Sequence, residues 1–103
     1  MTAETPREFF ENLPERVDRS KAAGLTASYV FEVADAGTWT VRVDDGDVTV
    51  EEGAGNADCT IATSQETFMK IVRREQNPTS AYMLGKVRVR GSFSTAMKLQ
   101  KLF

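Results

Sequence analysis

The clearest pattern in the chain is an alternation of apolar and polar positions that begins at Leu25. Leu25, Ala27, Tyr29, Phe31 and Val33 fall on one side of an extended chain, and Thr26, Ser28 and Glu32 on the other. That is the period of a strand with one buried face, and it predicts a first strand over 25–34. Asp35-Ala36-Gly37 turns the chain, after which Trp39, Val41 and Val43 alternate with Thr38, Thr40, Arg42 and Asp44 as a second strand. Asp45-Gly46 is a strong hairpin signal. Val48 and Val50, alternating with Asp47, Thr49 and Glu51, give a third strand. Gly53-Ala54-Gly55-Asn56 reads as loop, and Ala57, Cys59 and Ile61 against Asp58 and Thr60 as a fourth strand. The alternation returns over Lys86 to Arg90, with Val87 and Val89 on the apolar side, as a fifth.

Helical spacing fills the remainder. Thr5-Pro6-Arg7-Glu8 can cap and open a helix whose apolar face is Phe9, Phe10 and Leu13. Pro14 is expected to end that helix or begin a second one, and 15–23 to continue helically as far as Gly24. Thr63-Ser64-Gln65-Glu66 reads as a capping box for a helix over about 64–75, with Phe68, Ile71 and Val72 behind it. Asn77-Pro78 breaks the chain ahead of a short helix over 79–84 that Gly85 ends. Gly91-Ser92 leads into a last helix, 93–103.

Because every strand has one apolar and one polar face, the sheet is expected to be covered on one side and wet on the other. Three hairpin-linked strands, a helical crossover and a fifth strand predict a single α+β domain over 1–103. It is a five-stranded, mainly antiparallel sheet with helices covering one face.

Composition narrows the function. At 103 residues, 41% hydrophobic and 27% charged, the chain has the make-up of one globular domain. Thirteen basic against 15 acidic residues leave a formal charge of -2, which attracts neither nucleic acid nor acidic membranes. The first residues lack a signal-peptide pattern, and no apolar run is long enough to span a bilayer. A single cysteine, Cys59, fits a reducing, cytoplasmic location. Lys101-Leu102-Phe103 departs from the peroxisomal Ser-Lys-Leu address at two positions.

The inventory for catalysis is thin. There is no histidine, the commonest general base near neutral pH. Cys59 takes an inward strand position as a small buried side chain. Glu32, Asp58 and Glu51 fall on outward strand positions, and Asp35, Asp44, Asp45 and Asp47 in or beside turns, so no carboxylate pair is expected to be buried. No metal spacing or phosphate-binding glycine motif is present. The chain is therefore expected to be no enzyme and to need no cofactor or metal.

The apolar side is more informative. Met69, Met83 and Met97 fall one on each of the three later helices, and methionine suits an adaptable lining as well as a core. On the last helix Phe93, Ala96, Gln100 and Phe103 share one arc with Met97 and Leu99 on its flanks. Gln100 is the polar residue set inside that arc. Its amide needs either a backbone partner or a ligand's polar group. The basic residues Arg73, Arg74, Lys86, Arg88 and Arg90 are read as a solvated face with ion pairs to Glu32, Glu51 or Asp58 rather than as a phosphate or membrane patch.

Five strings, in order, carry a resemblance: Gly37-Thr38-Trp39-Thr40-Val41 before the Asp-Gly turn, Ala57-Asp58-Cys59-Thr60-Ile61, Asn77-Pro78-Thr79-Ser80-Ala81-Tyr82, Gly85-Lys86-Val87-Arg88-Val89-Arg90-Gly91, and Ala96-Met97-Lys98-Leu99-Gln100. With the element order, they make the chain resemble the sterol-carrier-protein type-two family from about Phe9 to Lys101. The resemblance implies a hydrophobic tunnel between sheet and helices that takes sterols, fatty acids, acyl-CoA or other amphiphiles without catalysis. By position, it assigns the tunnel wall to Phe31, Val33, Trp39 and Val41 of the sheet, to Phe68, Ile71, Val72, Tyr82, Met83 and Leu84, and to Met97 and Gln100. The chain departs from the family pattern at Arg73-Arg74-Glu75, where a glycine is common. The expected function is binding and intracellular carriage of a fatty acid, acyl-CoA, sterol-like or isoprenoid lipid, with transient membrane or enzyme-complex contact. The alternative is an accessory module of a lipid or quinone biosynthesis complex holding a lipophilic intermediate.

Overall fold

A computed structural model of the chain describes residues 5–16, 20 and 23–98. Helix α1, Pro6–Arg16, leads into three strands, β1 (Thr26–Ala34), β2 (Gly37–Asp44) and β3 (Asp47–Glu52). Strand β4 (Cys59–Ser64) follows, then helices α2 (Gln65–Val72) and α3 (Pro78–Met83), strand β5 (Val87–Gly91) and helix α4 (Phe93–Lys98). The five strands form one sheet in the order β3-β2-β1-β4-β5. Three of its four pairs are antiparallel, and β1 and β4 run parallel. The expected α+β architecture is therefore present: a mainly antiparallel five-stranded sheet with helices packed on its apolar face.

Turn chemistry sets the hairpins. Asp45 and Gly46 both take positive φ, 46° and 93°, the conformation that a two-residue hairpin matched to strand twist requires. The alternation of β1 buries Ala27, Tyr29, Phe31 and Val33 together. Register then builds rows across the apolar face: Trp39, Phe31, Ile61 and Val89 in one, Val33, Thr63 and Val87 in the next.

Helix α1 covers the β2 side of this face. Thr5 caps it, its hydroxyl accepting from the Glu8 N–H at 3.2 Å. Phe10 stacks on Trp39 with centroids 4.6 Å apart and on Phe68 at 5.3 Å, while Phe9 meets Phe68 edge-on. Phe9, Phe10 and Leu13 are all buried. That burial carries α1 straight through Pro14, which neither ends the helix nor begins another. Losing one hydrogen bond costs less than unseating the aromatic stripe. The continuation expected over 15–23 lies largely outside the described residues.

Two further boundaries differ from expectation. Strand β4 begins at Cys59 rather than Ala57 and runs on to Ser64, because Thr63 pairs with both Val33 and Val87. Ser64, not Thr63, caps α2, accepting from the Thr67 N–H at 3.1 Å. Helix α2 stops at Val72, because Arg74 turns left-handed at φ 63°. Asp58 precedes β4 and clasps β1. Its carboxylate accepts from the Ser28 N–H at 3.0 Å, and its own N–H donates to the Ser28 hydroxyl at 2.9 Å.

The outer face is not wholly wet either. Val30 and its partner Thr40 are buried on it. The 53–56 loop explains Thr40: its hydroxyl donates to the Gly53 carbonyl at 2.7 Å and accepts from the Gly55 N–H at 2.9 Å.

Candidate functional site: an apolar cavity under three helices

Beyond the aromatic block of α1, the space between the layers is not filled. A cavity of about 330 Å³ remains between the sheet and helices α2, α3 and α4. Phe31, Ile61, Thr63, Val87 and Val89 form its floor. Phe68, Ile71 and Val72 of α2, Pro78, Thr79, Tyr82 and Met83 of α3, and Phe93, Ala96 and Met97 of α4 form its walls. The lining is apolar apart from Thr63, Thr79 and Tyr82, and the Thr63 hydroxyl is already committed, donating to the Lys86 carbonyl at 2.9 Å. Such a space favours hydrocarbon over water, which would lack partners there.

Local structure places each wall. The Asn77 side chain accepts from the Thr79 and Ser80 N–H groups at 2.8 and 3.2 Å, starting α3 at Pro78. Gly85, at φ 78°, then turns the chain into β5. Helix α4 is held at its start by Ser92, whose hydroxyl accepts from the Thr95 N–H at 3.2 Å.

Of the tunnel residues expected from the sequence, the cavity brings together Phe31, Phe68, Ile71, Val72, Tyr82, Met83 and Met97. Trp39 stands apart from it, under Phe10. Val33 and Val41 are buried in the core but do not reach the cavity, and Leu84 points into solvent. Gln100 lies outside the described residues. Met69 is core, packed away from the cavity. Residues not expected are Ile61, Thr63, Val87 and Val89 from β4 and β5, Pro78 and Thr79 from α3, and Phe93 and Ala96 from α4. Their inward alternation and helical arc were readable signals. What was lacking was the strand order, which sets β4 and β5 rather than β2 beneath the later helices.

Cys59 is buried at the β1–β4 seam, opposite Tyr29 in register. Burial, and then the charge of Asp58, pushes its thiol up to about 11, the reverse of what an activated nucleophile needs. Among the described residues no three of Cys, Asp and Glu gather as a metal site, and no helix is long and apolar enough to cross a membrane. Of the expected ion pairs, Arg90 meets Glu32. Among the described residues Arg88 and Lys86 make no ion pair: Glu32 is taken by Arg90, Glu51 lies on β3 at the opposite edge of the sheet and Asp58 is turned to Ser28.

The family model for the SCP-2 sterol transfer family matches residues 8–103. The chain belongs to that family. Human sterol carrier protein 2 is 35% identical over 80 residues, covering 72% of this chain and 15% of that protein. Human hydroxysteroid dehydrogenase-like protein 2 is 29% identical over 99 residues, covering 92% of this chain and 24% of its own length. The chain thus spans a quarter or less of these longer relatives. Among solved structures, sterol carrier protein 2 like 2 from Aedes aegypti superposes with a TM-score of 0.74 at 19% identity, over 94% of both chains. The SCP-2 fold therefore extends over the described sheet and helices together.

Proposed function

We propose that this domain binds the apolar part of a lipid-like molecule between its sheet and helices α2–α4 and carries it without acting on it chemically. The observation that carries this reading is the cavity itself: about 330 Å³ of apolar space, inside the range of about 300–1000 Å³ in which small-molecule sites fall. Its size suits one acyl or isoprenoid chain better than a rigid sterol, for which the helices would have to part. Phe31, Phe68, Ile71, Val72, Tyr82, Met83 and Met97 would make the contacts, joined by Ile61, Val87, Val89, Phe93 and Ala96. Membership of a family described by sterol transfer and the likeness to a sterol carrier protein both support a lipid as the class of ligand.

Burial supplies the affinity. At about 0.8 kcal/mol per CH₂, a sixteen-carbon chain gains roughly 12 kcal/mol gross, and the costs of association leave binding in the micromolar to nanomolar range. Titration of the folded domain with a fluorescent fatty acid should saturate at one site, and native mass spectrometry should show one adduct. Folded protein with no saturable signal would sink the proposal.

The second reading is an accessory module that holds a lipophilic intermediate for a biosynthetic enzyme. It is supported by the relatives in which the matched region is a minor part of a longer chain. An enzyme that copurifies with the domain and takes the extracted lipid as substrate would favour it over carriage.

A further inference from the structure

The cavity has one open end and one closed end. At α3 and α4 its lining reaches solvent: Met83 is 79% exposed and Tyr82 41%, with Phe93 and Met97 half-exposed beside them. At β1 it stops against Phe31 and Phe68, only 3% and 5% exposed. The floor between follows one row of the sheet, from Val89 on β5 through Ile61 on β4 to Phe31 on β1.

The row continues past the point where the cavity ends. Its next member is Trp39 on β2, and there a second, smaller hollow of about 180 Å³ opens, with Phe10, Pro14, Trp39 and Val50 in its lining. Two spaces thus lie over the two halves of the sheet, and a partition of rings divides them. Phe31 and Phe68 face the cavity, and Phe10 stands behind both with centroids 5.3 Å from each. Phe10 in turn stacks on Trp39 at 4.6 Å. Phe68 is also met edge-on by Phe9 at 5.4 Å. A ring wedged among three others at close packing does not swing aside without opening the core. The partition is a wall, not a door.

This wall bears on ligand length. A polar head that keeps its water has to remain at the open end, so an apolar tail points towards Phe68 and is measured against it. A methylene group takes roughly the room of a water molecule, about 30 Å³, so the 330 Å³ of the cavity holds on the order of eleven carbons. We propose that Phe68, backed by Phe9 and Phe10, is the end-stop that sets the chain length this domain encloses, on the order of eleven carbons. Further carbons stay at the open end against Tyr82, Phe93 and Met97. This step rests on the reading of the cavity as a lipid site.

The test is a series of saturated fatty acids from about eight to about eighteen carbons, each used to displace a fluorescent fatty acid from the folded domain. Wild-type affinity should rise about fourfold for each added CH₂ while the tail is being enclosed, and less than about twofold for each one after that. The break between the two slopes should fall at about eleven carbons. Phe68→Leu should move it about two carbons longer and Phe68→Ala about five, because neighbours only partly fill the space that the ring leaves. Val89→Ala, at the other end of the row, should leave the break in place. If Phe68→Ala does not fold, the shift in Phe68→Leu still decides. An unmoved break in the folded Phe68 variants overturns the end-stop, as does a break that Val89→Ala moves as far as Phe68→Leu. So does wild-type affinity that climbs at one rate through the whole series. No displacement at any length would instead remove the lipid reading itself, and the end-stop with it.

Discussion

The Tyr29 hydroxyl donates a 2.9 Å hydrogen bond to the carbonyl of Thr95, so the centre of β1 holds the first turn of α4. This helix carries Phe93, Ala96 and Met97 of the cavity wall, and the bond adds a side-chain tether to its packing on the sheet. Tyr29→Phe keeps the ring and removes the tether. It should lower stability by about 1 kcal/mol, and the amides of α4 should exchange faster while those of β2 stay protected. Unchanged exchange in α4 would mean that packing alone seats the helix.

Alkali should act through the same seam. Burial first, then the charges of Cys59 and Asp58, pushes the Tyr29 phenol up to about 12, and the Cys59 thiol stands at about 11. Both folded values lie above the ordinary ones of 10.0 and 9.0, so the folded state holds more protons than the unfolded between them. Their contribution is present in full below pH 9 and is lost as pH rises towards 12. Thermal melts should show that fall in the wild type. Cys59→Ala should remove its lower part and Tyr29→Phe its upper part.

Filling the cavity should separate binding from folding. Ala96 lines it and is only half-buried, so Ala96→Phe can place a ring in open space rather than against a packed core. A fluorescent fatty acid should lose at least tenfold in affinity with the melting temperature nearly kept. Undiminished affinity would place the ligand elsewhere.

Gly91 should be intolerant. It sits at φ 91°, and a Cβ there would stand 2.6 Å from the Asp58 carbonyl oxygen, which already accepts from the Ser92 N–H. Gly91→Ala should cost a few kcal/mol, measured by urea denaturation, since neither backbone can retreat without parting β4 from β5.

Much of this architecture was legible because strand alternation and turn chemistry are local. Tyr29, Phe31, Trp39 and Val41 declare their face two residues at a time, and Asp45-Gly46 declares its hairpin. The floor of the cavity was harder to read, because it depends on which strand lies beside which. Trp39 belongs to the same row as Ile61, but the two meet different helices, and only the three-dimensional order puts α1 over one and α2–α4 over the other. Leu84 follows a six-residue helix, too short for periodicity to choose a side. Thr40 read as solvent-facing, because a loop folding back over the sheet leaves no periodic trace.

The parallel pairing of β1 with β4 also bears on the order in which the molecule assembles. The first three strands close through tight turns, whereas Tyr29 must wait for Cys59, thirty positions away in the chain, before the centre of the sheet exists. Closing the larger loop costs more entropy, so the meander with its aromatic block should form early and the β4–β5 side late. The later-formed part is also the one that contains the cavity. Native-state opening should begin there, which would let a guest enter or leave by a partial, reversible unfolding while the Phe10–Trp39 stack keeps the rest intact.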